Sequence, residues 1–131
     1  MRQEAPEAPV VVAAGLPGTR HTLGLEFAGT AISFAGWRPV IVGGDLPISD
    51  ILAAVSQTSA DALLVSVSTT KDPREAHREL QALDAGLPAD VLRLLGGAGA
   101  PDETEGWLRP ESIMALVERA REPSKYRPEN M

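Results

Sequence analysis

Four short apolar runs, at residues 10–14, 40–42, 62–67 and 91–95, set the narrowest limit on what this 131-residue chain can fold into. They are not broken by alternating polar residues, as strands with one wet face would be. A strand buried on both faces needs such a run, and parallel sheets with crossover helices on both sides supply that setting. The stretches between the runs have helical spacing. Residues 23–35 carry a narrow stripe of small residues, Gly24, Ala28, Ala31 or Ile32, and Ala35, and Gly36 stops the helix. Ile48, Ile51, Leu52 and Val55 mark a second helix. Asp72-Pro73 with Glu75 starts a third, with Ala76, Leu80 and Leu83 inward. A last helix follows Pro110, with Ile113, Leu116, Val117 and Ala120 on one face, and Pro123 bars its continuation. This β-α-β-α alternation predicts an α/β domain, a doubly wound parallel sheet with right-handed crossovers.

One domain is expected over residues 10–121, with disordered tails at 1–9 and 122–131, both rich in Pro and charge. Residues 98–106 are too few for a crossover helix and a fifth strand, which together need roughly 10–12 residues or more. The fifth strand is therefore expected to be absent or vestigial, with Trp107-Leu108 as a stub. Arg93, inside the fourth run, suits a strand at or near the sheet edge. The aromatic fraction is only 4%, so aliphatic residues must fill the core, and Trp37 and Trp107 are read as packing residues. Twelve Lys and Arg against 18 Asp and Glu leave a net charge of −6, which argues against direct nucleic-acid binding. There is no cysteine, hence no thiolate nucleophile and no Cys-type metal site. No apolar run approaches the roughly 20 residues of a membrane span, and the expected location is the cytoplasm.

Ligands of open parallel sheets bind outside the carboxyl ends of the strands. Here those ends are residues 15–21, 43–45, 66–70 and 96–99; three contain closely spaced glycines, and the third is a hydroxyl cluster of Ser66, Ser68, Thr69 and Thr70. Several familiar sites are excluded. Gly15-Leu16-Pro17-Gly18 is not G-x-G-x-x-G, and no G-x-x-x-x-G-K-[ST] or G-x-S-x-G is present. A phosphate-receiver site needs an acidic pair after the first strand and an Asp ending the third, where this chain has Ala13-Ala14 and Ser66-Val67. His77, among Arg74, Glu75 and Arg78, reads as a surface residue. His21, directly after the first loop, remains as an imidazole that could be presented to a metal.

Thr19-Arg20-His21-Thr22-Leu23-Gly24 resembles the D-x-H-x-x-G signature of cobalamin-binding domains, with Thr19 where the family has Asp. Ser66-Val67-Ser68 stands where the family has S-x-L, and Gly96-Gly97 where it has paired glycines. Gly43-Gly44-Asp45-Leu46-Pro47 resembles the family's loop after the second strand, and Gly18–Leu25 with Gly43–Pro47 is most similar to the MerR-type regulators. The resemblance implies a flavodoxin-like fold with strand order 2-1-3-4. It implies cobalamin, as adenosylcobalamin or methylcobalamin, held base-off, with His21 as the lower cobalt ligand. The cofactor-binding residues would be Thr19, His21, Gly24, Asp45, Ser66, Ser68, Gly96 and Gly97. Ser66 would contact the nucleotide base, and a Cβ at Gly96 or Gly97 would occupy the tail's space. On this basis Gly97→Val is expected to abolish binding and leave the fold intact. Thr19 offers a neutral hydroxyl instead of a carboxylate, so ligation weaker than the family norm is expected.

The chain shows no catalytic acid, base or nucleophile of its own, so any chemistry would belong to the cofactor and a partner protein or subunit. The leading expectation is a stand-alone cobalamin-binding module with a sensory or regulatory role. The alternatives are the small cobalamin-carrying subunit of a mutase or a corrinoid methyl carrier, and a degenerate cobalamin-free interaction domain.

Overall fold

A computed structural model describes residues 8–20, 23–34, 36–101 and 104–109. In chain order it contains β1 (Val10–Gly15), α1 (Leu23–Phe34), β2 (Arg38–Gly43), α2 (Ile48–Thr58), β3 (Ala62–Ser66), α3 (Pro73–Gly86) and β4 (Leu92–Gly96). The four strands form one parallel sheet in the order β2-β1-β3-β4, the order that the family resemblance implies. The helix expected after Pro110 and most of both tails lie outside the described residues.

Successive side chains of β1 and β3 serve opposite faces, as the pleat requires. Val12, Ala14, Leu63 and Val65 pack with Ile51 and Val55 of α2 and with Ala76, Leu80 and Leu83 of α3. Val11, Ala13, Ala62 and Leu64 pack on the other side with Leu25, Ala28 and Ile32 of α1 and with Trp37. Continuous apolar runs were the right signal for these two central strands, because neither face meets water. The inward line of α1 corrects the predicted stripe: Leu25, Ala28 and Ile32 are buried, whereas Gly24 is exposed. The edge strand β2 carries the same kind of run but is far less covered, and Ile41 and Val42 are 40% and 39% exposed.

The opposite edge is β4. Its only addition among the described residues is a parallel bridge between Leu94 and Leu108, made by Leu95 N–H to the Leu108 carbonyl (2.8 Å) and Leu108 N–H to the Arg93 carbonyl (2.9 Å). The expected stub of a fifth strand is therefore present, and no helix occurs among the described residues between Gly97 and Trp107. Trp107 is buried in the same cluster as Leu95 and Ala100. Arg93 turns toward the end of α3, where its guanidinium meets the Asp84 carboxylate and the Asp84, Pro88 and Val91 carbonyls. No described helix is long and apolar enough to cross a membrane.

The start of α3 follows its sequence cues. Pro73 occupies the first turn, and the Asp72 side chain accepts the Arg74 N–H at 2.9 Å. Asp72→Ala should cost about 1 kcal/mol, the usual worth of a helix N-cap, measured as a shift in the urea midpoint at constant slope. No shift would mean that Pro73 and packing alone define this end.

Candidate functional site

The loops at the carboxyl ends of β1, β2 and β3 are stitched together by side chains. Leu16-Pro17-Gly18-Thr19 is a turn with Gly18 at φ +86° and the Thr19 N–H donating to the Leu16 carbonyl over 2.8 Å. Proline second and a positive-φ glycine third is the pattern of a type II turn. Gly18 N–H donates to Asp45 Oδ1 in the loop after β2 at 2.7 Å. Asp45 itself adopts the left-handed conformation, φ 54°. Thr19 is buried, and its hydroxyl oxygen accepts the Ser68 N–H from the loop after β3 at 3.0 Å. Ser68 Oγ in turn lies 2.9 Å from Thr70 Oγ1 and accepts the Thr70 N–H at 3.2 Å.

Lys71, which sequence reasoning passed over, completes this stitching. Its side chain is only 6% exposed, and Nζ donates to the Pro17 carbonyl at 2.8 Å. Nζ also lies 2.8 and 3.0 Å from the two carboxylate oxygens of Glu79, with Glu75 at 3.6 Å. A signal existed in the chain: glutamates four and eight residues beyond a lysine can share its face of a helix.

The loop after β4 packs directly on the loop after β3. Val67 N–H donates to the Gly96 carbonyl at 3.0 Å, and Gly99 N–H to the Val67 carbonyl at 2.9 Å. Gly97 has φ +93°, and a Cβ there would fall 2.7 Å from Val67 N and 2.9 Å from Ser66 Oγ, with the Val67 carbonyl oxygen nearer still. A Cβ at Gly99 would collide with the Ser68 carbonyl. The expectation that Gly97→Val spares the fold is therefore corrected: Gly97 makes room for the protein's own backbone. Gly96 differs. A Cβ there would meet only Leu64 Cδ1, at 3.9 Å, and would otherwise face open space.

The structure thus joins Thr19 to Ser68, sets Ser66 beside Gly97, and ties Asp45 to the turn before His21. Gly24 lies in the first turn of α1 with open space where its Cβ would be. His21 lies outside the described residues. His77 is exposed, as expected, and borders a cavity of about 590 Å³ between α3 and residues 104–107. A second cavity, about 420 Å³, lies between the carboxyl ends of α2 and α3. None of the predicted site residues lines either one. No group of three or more His, Cys, Asp or Glu able to hold a metal occurs among the described residues.

A parallel 2-1-3-4 sheet with its loops braced at the carboxyl ends defines the class of fold: a flavodoxin-like α/β domain. No protein-family model matches the chain. Its sequence is 27% identical over 114 residues to dimethylamine corrinoid protein 3 of Methanosarcina acetivorans, covering 86% of this chain and 52% of that protein. It is 26% identical over 98 residues to trimethylamine corrinoid protein 2 of the same organism, covering 74% of this chain and 44% of that one. The chain thus spans about half the length of these curated relatives. Among solved structures, the methanol:cobalamin methyltransferase complex MtaBC from Methanosarcina barkeri superposes with a TM-score of 0.72 at 21% identity, over 88% of this chain and 46% of that one. The resemblance to cobalamin-binding domains is borne out by these relatives.

Proposed function

We propose that this chain is a corrinoid-carrying module that presents a methyl group on cobalamin to a methyltransferase partner. The relationship to corrinoid proteins over 86% of the chain carries this reading. It favours the carrier alternative over a regulatory role, for which these relatives offer no support. The residues fit such a group in one physical respect: open space lies over Gly96 and Gly18 at the carboxyl ends of the strands. His21 would ligate cobalt, Ser66 would contact the nucleotide base, and Gly96 would leave room for the tail. Bound cobalamin would supply the metal that accepts and releases the methyl group. The chain's own work would be to bind the tail, hold the imidazole and orient the exposed face.

The direct test is an absorption titration with hydroxocobalamin, in which a saturable shift to the imidazole-ligated spectrum is expected. A protein that stays colourless after reconstitution would leave the cobalamin-free interaction domain as the better reading. Gly96→Val adds a narrower check. It should weaken cobalamin binding at least about tenfold, with an unfolding midpoint far closer to wild type than that of Gly97→Val, because its Cβ meets only Leu64 Cδ1, at 3.9 Å. Equal affinity in the variant would show that the tail does not pass Gly96.

A further inference from the structure

The Pro17–Gly18 peptide is held at both ends by charged side chains from different loops. Its carbonyl oxygen receives Lys71 Nζ at 2.8 Å, and its N–H donates to Asp45 Oδ1 at 2.7 Å. Flipping this central peptide is what separates a type II turn from a type I turn. In the flipped orientation, both bonds would be lost. Lys71 is buried and anchored on Glu79 of α3, so the carbonyl is fixed to a rigid element. Asp45 is held at a positive φ that few side chains tolerate, and the loop places its oxygen at the Gly18 N–H.

We propose that Lys71 and Asp45 are positioning residues that clamp this one peptide and thereby set the turn leading to His21. Neither touches the cofactor in this scheme. Lys71 acts through the Pro17 carbonyl and Asp45 through the Gly18 amide. The turn ends at buried Thr19, two residues before His21, so holding its central peptide keeps the backbone in one conformation on the approach to His21. The role in cobalt ligation rests on the proposed function, whereas the clamp itself does not.

The test uses two readouts on the full chain. Trypsin cleavage after exposed Arg20 reports the loop without any cofactor. The imidazole-ligated spectrum with hydroxocobalamin reports presentation of His21. Lys71→Met should speed cleavage after Arg20 relative to other arginine sites. It should also weaken binding about tenfold and reduce the imidazole spectrum of the cofactor that remains bound. Asp45→Ala should act in the same direction. Asp45→Asn should keep the wild-type rate of cleavage after Arg20, because its amide oxygen can still accept and Asn tolerates a positive φ. Glu75→Gln, at a half-exposed carboxylate 3.6 Å from Nζ, should change neither readout. Should Lys71→Met not fold, Lys71→Met with Glu79→Met removes both charges together and is read the same way. Unchanged cleavage after Arg20 in a folded Lys71 variant overturns the clamp, as does an equal effect from Glu75→Gln. If wild type fails to bind cobalamin, the proposed function falls while the cleavage rates still judge the clamp.

Discussion

Gly97→Val should destabilise the domain by about 2–6 kcal/mol and lower its melting midpoint by on the order of 10–20 °C. Two costs combine. A β-branched residue at φ +93° adopts a backbone conformation that costs roughly 1–3 kcal/mol. Its Cβ also meets the Val67 backbone and Ser66 Oγ at distances that force the two loops apart, an overpacking cost of roughly 1–3 kcal/mol. The sum is a large fraction of the about 5–15 kcal/mol that holds a domain together. Gly97→Ala should share much of this loss, because the first added carbon already makes the collision. Thermal and urea unfolding provide the measurement, with Gly96→Val as the neighbouring comparison. A Gly97→Ala variant that melts with wild type would mean that the β3 and β4 loops do not pack as described.

His21→Ala should abolish the imidazole-ligated spectrum, whether or not the tail slot still captures cobalamin. The reason lies in the proposed ligation. Imidazole binds cobalt through a lone pair that exists only in the neutral ring. Acid should therefore weaken the ligation, because a proton competes with cobalt for that lone pair. Thr19→Asp is the gain-of-function partner. Its carboxylate could keep the Ser68 N–H bond now made by the Thr19 hydroxyl and offer a second oxygen to the imidazole N–H. Tighter binding, by up to about 10–100-fold, is the expected result. The same change should lower the stability of the cofactor-free domain, since a carboxylate would replace a buried hydroxyl and methyl. Spectra across pH for wild type and both variants decide the matter. If His21→Ala matches wild type in spectrum and affinity, His21 is an ordinary loop residue.

The relatives also change which biological setting merits the first experiment. The MerR-like loop pattern rests on two short stretches, Gly18–Leu25 and Gly43–Pro47, whereas the corrinoid relatives align over most of the chain. Under the proposed function a methyltransferase partner would come before a regulatory domain, and co-purification with the reconstituted chain is the natural experiment.

Much of the architecture was legible in the sequence because its causes are local. Apolar runs over residues 10–14 and 62–67 need cover on both faces, and Pro73 and Asp72 start α3 by their own chemistry. The shortness of residues 98–106 left little room for an addition beyond β4, and the described residues there add a single bridge at Leu108. The braces of the candidate site could not be read in this way. Lys71 reaches Pro17 across 54 residues, Ser68 reaches Thr19 across 49, and Gly18 reaches Asp45 across 27. Gly96 and Gly97 are adjacent and identical in sequence, yet one faces open space and the other faces Val67. Periodicity and turn chemistry fix each element through its nearest neighbours along the chain. Only the tertiary structure brings the loops together, so it alone decides which glycine serves the backbone and which faces open space.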